Sequence, residues 1–243
     1  DNTACFRYED DIPLVVPEVN PEAVKLFSNR NIIANPNCST IQLVVALAPI
    51  HKIAKIKRIN VATYQSISGA GRKALDLLNE QTRMALSGDD SKQEQSFAFN
   101  VIPQIDAFQK NDFTKEEMKL VWETQKIFND YDLLVNATAV RVPVRVGHSE
   151  AVSIQTEIAI YPDQIKEVLS QSQGIEIIDD INEKLYPTPL IHGDNTNLVY
   201  VGRIRKDHTL KNGMNLWVVA DNIRKGAALN SVQIAEVLIK NYY

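Results

Sequence analysis

The chain has 243 residues and a net charge of −4, with 26 Lys+Arg against 30 Asp+Glu and no basic stripe, which argues against nucleic acid or an anionic membrane as a partner. No apolar run approaches the roughly 18 residues that span a bilayer, and no secretory leader is read. Two cysteines, Cys5 and Cys38, make no disulfide framework, so a reducing cytoplasm is the expected compartment, and no metal site is expected.

In chain order, Asn20-Pro21-Glu22 reads as a cap with Pro at the first helical position, opening a short helix around Glu22–Phe27. Asn31–Ala34 is expected to be a short strand leading into Asn35-Pro36-Asn37-Cys38-Ser39-Thr40. Pro36 biases Asn35 towards extended backbone, and Ser39 with Gln42 three residues on is a capping-box pattern ahead of Leu43, Val44, Val45 and Leu47. Cys38 therefore falls at or just before a helix start, where free N–H groups and the helix dipole favour a thiolate. A small buried Cys that happens to precede a helix is the plain alternative. The helix runs to about Ile50, near Pro49, and His51 after it is a dipole partner without a function.

Ile56–Ser68 is β-branched and apolar, so a strand is predicted, ending in Tyr64-Gln65-Ser66-Ile67-Ser68-Gly69-Ala70-Gly71. Leu75, Leu78 and Met84 suggest a helix to about Leu86, followed by a polar loop through Ser87–Ser96 marked by Gly88-Asp89-Asp90. Thr114 with Glu117 opens a helix whose Met118, Val121, Trp122 and Phe128 share a face. Leu133–Val140 is a strand candidate, and Val152–Ile160 alternates with period two, one side buried and one wet. A helix over Pro162–Ser172 and strands at Ile175–Ile178, Leu198–Ile204 and Leu216–Ala220 follow. Asp221-Asn222 then introduces a terminal helix with Leu229, Val232, Ala235, Leu238 and Ile239 at helical spacing. Antiparallel-looking strands clustered between 133 and 220 argue for an α+β fold, a mixed, largely antiparallel sheet with helices on one face, in place of a pure doubly wound sheet.

Arg141-Val142-Pro143-Val144-Arg145-Val146-Gly147-His148-Ser149-Glu150 is the second informative stretch, with Pro143 at an edge or crossing. Gly147 lets the backbone turn and deliver the His148 imidazole into a cleft. Alone, a His after Gly in a loop is more often a surface group, and a lone Arg141 more often a salt-bridge partner. Together, Cys38, His148, Arg141, Gln65, Lys119, Glu116 and Arg7 are suited to acyl transfer to a thiol from an anionic substrate. A thiolate attacks a carbonyl while an imidazole moves the proton. N–H groups at the helix start hold the oxyanion, a guanidinium fork grips a carboxylate, and cations hold a phosphate.

The runs 35–40, 64–71, 141–150 and 221–230, with Asp1–Arg7 and Pro13–Asn20, resemble aspartate-semialdehyde dehydrogenase, closest to the branch typified by Gram-positive enzymes, over essentially the whole chain in order. The resemblance implies a glyceraldehyde-phosphate-dehydrogenase-like catalytic and dimerisation fold, homodimeric and cytoplasmic. It also implies an NADP-dependent reductase of lysine (diaminopimelate), threonine and methionine biosynthesis, which interconverts L-4-aspartyl phosphate and L-aspartate 4-semialdehyde plus phosphate. By resemblance Cys38 is the nucleophile that carries the acyl-thioester and His148 the acid/base. Gln65 positions the substrate, Arg141 clamps its α-carboxylate and Glu116 meets its α-amino group. Arg7, Asn37 and Lys119 match the phosphate site, and Ser68, Gly69 and Asn222 match cofactor contacts. Without the resemblance, Glu116 and Lys119 read as a solvated i,i+3 pair worth about 0.2–0.5 kcal/mol. Cys5 is incidental, and His192 and His208 are expected at the surface.

The sequence departs from the family in lacking the Gly-rich turn that holds a pyrophosphate. Residues 1–36 are accordingly expected to be a remnant of an NADP-binding Rossmann domain, 37–225 the catalytic and dimerisation domain, and 226–243 a helix that packs with the NADP-binding part. A truncated chain of this kind would leave Leu14, Val15, Val16, Leu229, Val232 and Leu238 without partners and bind NADP poorly. Two alternatives stay open: an N-acetyl-glutamyl-phosphate reductase-like enzyme, and a non-catalytic dimerisation or ligand-binding module.

Overall fold

The computed structural model describes residues 1–88 and 96–242, so Asp89 and Asp90 of the expected loop lie outside the described residues. The first helical segment, Pro21–Asn29, is a 3-10 helix whose Asn20 makes no side-chain cap. The expected strand at Asn31–Ala34 is reduced to one bridge, Leu14 to Ala34, because Asn31 turns the chain at a φ of 55°.

Helix α1 (Cys38–Ala54) is the centre of the molecule, buried from Ser39 through Leu47 and again at Ile50 and Ala54. A helix that is apolar nearly all round belongs inside a core. Its cap is Asn37, not Ser39: extended backbone at Asn37 lets Oδ1 accept the Ser39 N–H at 3.0 Å and the Thr40 N–H at 3.4 Å. Cys38 is thereby the first helical residue.

The six strands are β1 (Ile56–Gln65), β2 (Leu134–Arg141), β3 (His148–Thr156), β4 (Ile175–Ile177), β5 (Val199–Lys206) and β6 (Gly213–Ala220). They form one mixed sheet in the order β2-β1-β3-β6-β5-β4, with β1–β2 and β4–β5 parallel and the other pairs antiparallel. The remaining helices are α2 (Arg72–Leu86), α3 (Lys115–Phe128), α4 (Pro162–Ser170), α5 (Pro189–His192) and α6 (Leu229–Tyr242). Ile59, Val61, Val152, Ile154, Leu216 and Val218 are buried in the same core as α1, whereas Ala62, Ser153 and Trp217 on the other sheet face are half-buried. On that second face the exposed Tyr64 ring lies 5.4 Å from Trp217. The alternation read over Val152–Ile160 holds to Thr156, where β3 ends.

Helix α3 has its capping box, Thr114 with Glu117, but its buried stripe is Leu120, Glu123, Thr124 and Ile127 and not the expected Met118, Val121, Trp122 and Phe128. Acidic residues lie on the buried side because each finds donors: Glu117 also accepts the Ala139 N–H at 3.0 Å, fastening α3 to β2. An apolar-only pattern cannot see such a face.

The ends of the chain find partners within it. Leu14 and Val16 lie in the main core, and Val15 packs with Val24 and Ile234 of α6. Leu229 and Leu238 are half-buried and Val232 is exposed, so of the six residues expected to lack partners only Val232 is largely open. Lys126 donates to the Arg7, Glu9 and Ile12 carbonyls at 2.6–3.0 Å, holding the N-terminal segment to α3. Lys225, fully buried in a π-helical turn (Arg224–Ala228), donates to both Glu18 oxygens at 2.8 and 2.7 Å, to Asn230 at 3.0 Å and to Gln233 at 2.8 Å.

Candidate active site

The strand register sets the site at one rim of the sheet. Gln65 and Arg141 are paired at the ends of the parallel strands β1 and β2. The antiparallel β3 begins there with His148, opposite Ala220 at the end of β6, just ahead of Asn222. Gly147 delivers His148 to this rim at a φ of +90°, and a Cβ on it would stand 2.7 Å from the Gly193 Cα. His148 is therefore the first residue of a strand, not a loop residue.

The His148 ring is fully buried. Its Nδ1 accepts the Ser66 N–H at 3.0 Å and lies 3.0 Å from Ser66 Oγ, while Nε2 is 3.5 Å from the Gln65 amide nitrogen. Burial, and then the neighbouring Arg141 charge, push the imidazole down to about 3, so it is neutral at physiological pH. Arg141 Nη1 donates to the Ser66 carbonyl at 2.7 Å. A Cβ on Gly69 would meet Arg141 at 3.1 Å and His148 at 3.2 Å, which puts these two side chains against the same backbone.

One carboxylate joins the two halves of the site. Glu116 Oε1 accepts from Asn37 Nδ2 at 3.0 Å and from Gln65 Nε2 at 3.1 Å, and Oε2 accepts from Lys119 Nζ at 2.8 Å. Burial pushes this carboxyl up, but Lys119, Gln65 and Asn37 outweigh it and leave it below the usual value. The Glu116–Lys119 pair is thus buried and shared, not a solvated surface pair. Cys38 beside Asn37 and His148 beside Gln65 are so drawn to one cluster, and the Arg141 charge acts on both.

At Cys38 the folded surroundings work against the expected thiolate. Burial, then the Glu116 charge, push the thiol up to about 12 against the Ser39 N–H, Arg141 and Arg7. The helix start offers less than the sequence promised, because Asn37 Oδ1 takes the Ser39 and Thr40 N–H groups and the Asn37 carbonyl takes that of Ile41. For the same reason these groups are not free to hold an oxyanion. Across the Cys38 backbone a Cβ on Gly226 would come within 2.8 Å of the Cys38 Cβ, so the π-helical turn presses on the cysteine only because residue 226 is glycine.

Arg7 is occupied as well: Nη1 bonds Glu123 Oε1 at 3.1 Å, and Glu123 Oε2 accepts the Asn37 N–H at 2.6 Å. Asn222 Oδ1 accepts from Gly147 N at 2.9 Å and from Ser66 Oγ and Ser68 Oγ at 3.1 Å, while Nδ2 donates to Ser68 Oγ at 2.9 Å. Ser68, Gly69 and Asn222 therefore border His148.

Sequence reasoning missed Glu123, Ser66 and Glu150. Glu123 stands seven residues after Glu116, on the same helical face, and that spacing was a usable signal. Ser66 was hidden inside a longer run. Glu150 is two residues past His148 and fully buried, and burial raises its carboxyl well above the usual range against the opposing effect of the neighbouring Gln42 amide. The other histidines lie apart. His51 Nδ1 accepts the Ile56 N–H and the ring stacks on Phe128, and His192, half-buried, accepts the Thr188 N–H beside Tyr200. His208 and Cys5 are exposed. A cavity of about 710 Å³, lined by residues such as Glu18, Pro49, His51, Phe128 and Gln171, holds none of the site residues.

Comparison with known proteins follows the same outline. A family profile described as semialdehyde dehydrogenase, dimerisation domain, matches residues 47–225. The chain is 57% identical to an aspartate-semialdehyde dehydrogenase of Shewanella violacea, covering all of this chain and 72% of that protein. It is similar to the crystal structure of aspartate semialdehyde dehydrogenase II from Vibrio cholerae, with a TM-score of 0.97 and 55% identity over the whole chain and 72% of that one; a second structure of that protein is a complex with ASA. At 28% identity and a TM-score of 0.73 it resembles the Candida albicans aspartate semialdehyde dehydrogenase with NADP, covering 98% of this chain and 69% of that one.

Proposed function

The chain belongs to the aspartate-semialdehyde dehydrogenase family, oxidoreductases of amino-acid biosynthesis, and on that premise we propose that it carries the catalytic half of an NADP-dependent enzyme. The reaction interconverts L-4-aspartyl phosphate and L-aspartate 4-semialdehyde plus phosphate, on the route to lysine (through diaminopimelate), threonine and methionine. The observation that carries this reading is the Glu116 carboxylate, shared between the Asn37 amide beside Cys38 and the Gln65 amide beside His148.

In the reductive direction the Cys38 sulfur bonds to the acyl carbon and phosphate leaves with the electrons of the broken C–O bond and takes up the thiol proton, giving a thioester. His148 is the acid/base group at this centre, working through Nε2, since Nδ1 is turned to Ser66. Arg141 holds the substrate α-carboxylate and Glu116 its α-amino group, with Gln65 fixing the carbonyl between them. Lys119, Asn37 and Arg7 form the phosphate side. Arg7 and Lys119 are already paired with Glu123 and Glu116, so their charges are oriented before phosphate arrives.

Ser68, Gly69 and Asn222 would hold the nicotinamide end of NADP, and they suit that role because Gly69 leaves open a face that a Cβ would fill, against Arg141 and His148. When bound there, NADP supplies or accepts the hydride. Residues 37–225 form the catalytic and dimerisation unit of this proposal, 1–36 and 226–243 pack with the NADP-binding part, and the enzyme works in the cytoplasm. The half-buried sheet face around Tyr64 and Trp217 is the surface that meets a second copy in a homodimer. The likeness to the branch typified by Gram-positive enzymes belongs to the same reading.

Cys38→Ser tests it: turnover falls by several decades while the thermal melt stays unchanged, and a variant with the wild-type rate removes Cys38 from the mechanism. Parallel assays with aspartate semialdehyde and N-acetyl-glutamate semialdehyde separate the reaction from its nearest rival.

A further inference from the structure

A second polar pair lies beneath the reacting residues. Gln42 follows Cys38 by four residues on α1, and Glu150 follows His148 by two on β3, so each stands on the same face of its element as the site residue above it. Both elements start at the site and run away from it. Four helical residues rise about 6 Å and two strand residues about 7 Å, which brings the two side chains to one level in the core. They are neighbours there, the Gln42 amide acting on the Glu150 carboxyl.

Glu150 is fully buried and Gln42 is 1% exposed. Neither end of the Gln42 amide and neither Glu150 oxygen bonds any other group among the described residues. The flanks of Glu150 on the sheet give the reason. Opposite it on β6 is the apolar Val218, and opposite it on β1 is Thr63, whose hydroxyl donates to Gln65 Oε1 at 3.0 Å. The His148 ring is turned to Ser66 and Gln65. Burial keeps the Glu150 carboxyl protonated, and a neutral acid is complementary to an amide. The acid O–H donates to the amide carbonyl while an amide N–H donates to the acid carbonyl, whereas an ionised Glu150 could only accept and would strand Gln42 Oε1. The neighbours of Gln42 along α1 are Ile41, Leu43, Val44 and Val45, all buried. Apolar contacts have no direction and hold the height of a helix on a sheet loosely, but a buried polar pair is satisfied at one register alone.

We propose that Glu150 and Gln42 are a positioning pair: joined across the core, they set the height of α1 on β3 and thereby the place of the Cys38 sulfur at the rim of the sheet. The proposal rests on the reading of Cys38 as the nucleophile given above and deepens it, since neither residue of the pair touches substrate and both act through the helix that carries the sulfur.

The test compares variants of the intact natural protein by thermal melt, by kinetics with aspartate semialdehyde, and by the rate at which iodoacetamide alkylates Cys38, read by mass on the Cys38 peptide. Glu150→Leu strands the Gln42 amide. It is expected to lower the melting temperature and to lower kcat about 10–100-fold with KM within about twofold, the scale of a displacement of about 1 Å. Gln42→Leu added to Glu150→Leu leaves no stranded polar group, so the melt returns towards wild type. Nothing then sets the height of α1, so kcat stays low and the alkylation rate stays several-fold away from wild type. A double variant whose kcat and alkylation rate return with its melt overturns the proposal, and it carries the test alone if Glu150→Leu does not fold. Glu150→Gln keeps a pair of amide bonds and is expected to retain kcat within about threefold; a loss as large as that of Glu150→Leu overturns the proposal as well. The infrared spectrum at neutral pH should contain a protonated-carboxyl band that Glu150→Gln removes, and a wild-type protein without that band refutes the pairing. The alkylation rate reads the sulfur directly, so it decides the proposal even if Cys38→Ser keeps the wild-type turnover, in which case the catalytic reading fails by itself.

Discussion

Lys225 is the sharpest place to test how the two ends of the chain support the cysteine. Its ammonium is fully buried and makes four contacts of 2.7–3.0 Å, two of them to Glu18, whose side chain is only 5% exposed. Lys225→Met keeps the stem and removes the charge, which strands the Glu18 carboxylate among buried groups. Breaking a buried pair from one side typically costs about 3–5 kcal/mol. At about 2–4 °C per kcal/mol for a chain of this size, the melting temperature should drop by about 6–20 °C. Urea unfolding followed by far-UV circular dichroism and by tryptophan fluorescence gives the number, provided that both probes agree on one transition. Glu18→Leu added to Lys225→Met should recover most of the loss, since replacing both partners by apolar groups removes the stranded charge. A loss for the single variant below about 1 kcal/mol, the size of an exposed pair, would refute the reasoning, as would a double variant no better than the single.

Two further outcomes follow from the site itself. Gly226→Ala places a methyl 2.8 Å from the Cys38 Cβ, so alkylation of Cys38 by iodoacetamide should slow or quicken at least several-fold while α6 stays folded; an unchanged alkylation rate would mean that the turn does not press on the cysteine. The second concerns acid. His148 titrates at about 3 in the folded chain against 6.5 for an ordinary ring, so between these values the unfolded state binds the additional proton and stability falls as pH falls. The full shift corresponds to about 4–5 kcal/mol, lost progressively from about pH 6.5 down to pH 3. His148→Asn lacks that term, so its unfolding free energy should decline less steeply across the window, and parallel curves for the two proteins would contradict the burial argument.

Much of this molecule was legible in its residues because the relevant signals are local. The capping box Thr114–Glu117, the β-branched run of β1 and the alternation of β3 each state their own structure within a few residues. The cap of α1 was misread by two positions because Ser39 and Asn37 are both good caps, and backbone dihedrals decided between them. The buried face of α3 was misread because Glu116, Glu117 and Glu123 carry the polarity of a surface and the partners of a core. Their donors, on Asn37, Gln65, Ala139 and Arg7, lie far away in sequence. The raised thiol of Cys38 was invisible for the same reason, since a helix start promises free N–H groups and only the folded chain shows Asn37 consuming them. That Val15 finds partners inside this chain depends on α6 returning beside it, and that Leu14 and Val16 do depends on the main core closing over them, which no short-range pattern encodes.

The alignment of strand ends has a practical corollary for anyone wishing to modify this protein. Because Gln65, Arg141, His148 and Asn222 all gather at one rim, the far end of the same strands, around Lys57, Glu157 and the exposed stretch 208–211, carries no chemistry proposed above. A fluorophore, an affinity handle or a newly cut pair of termini placed at that end would sit a full strand length from the reacting atoms. A single added residue within β3 would instead invert the strand and turn His148 to the opposite side.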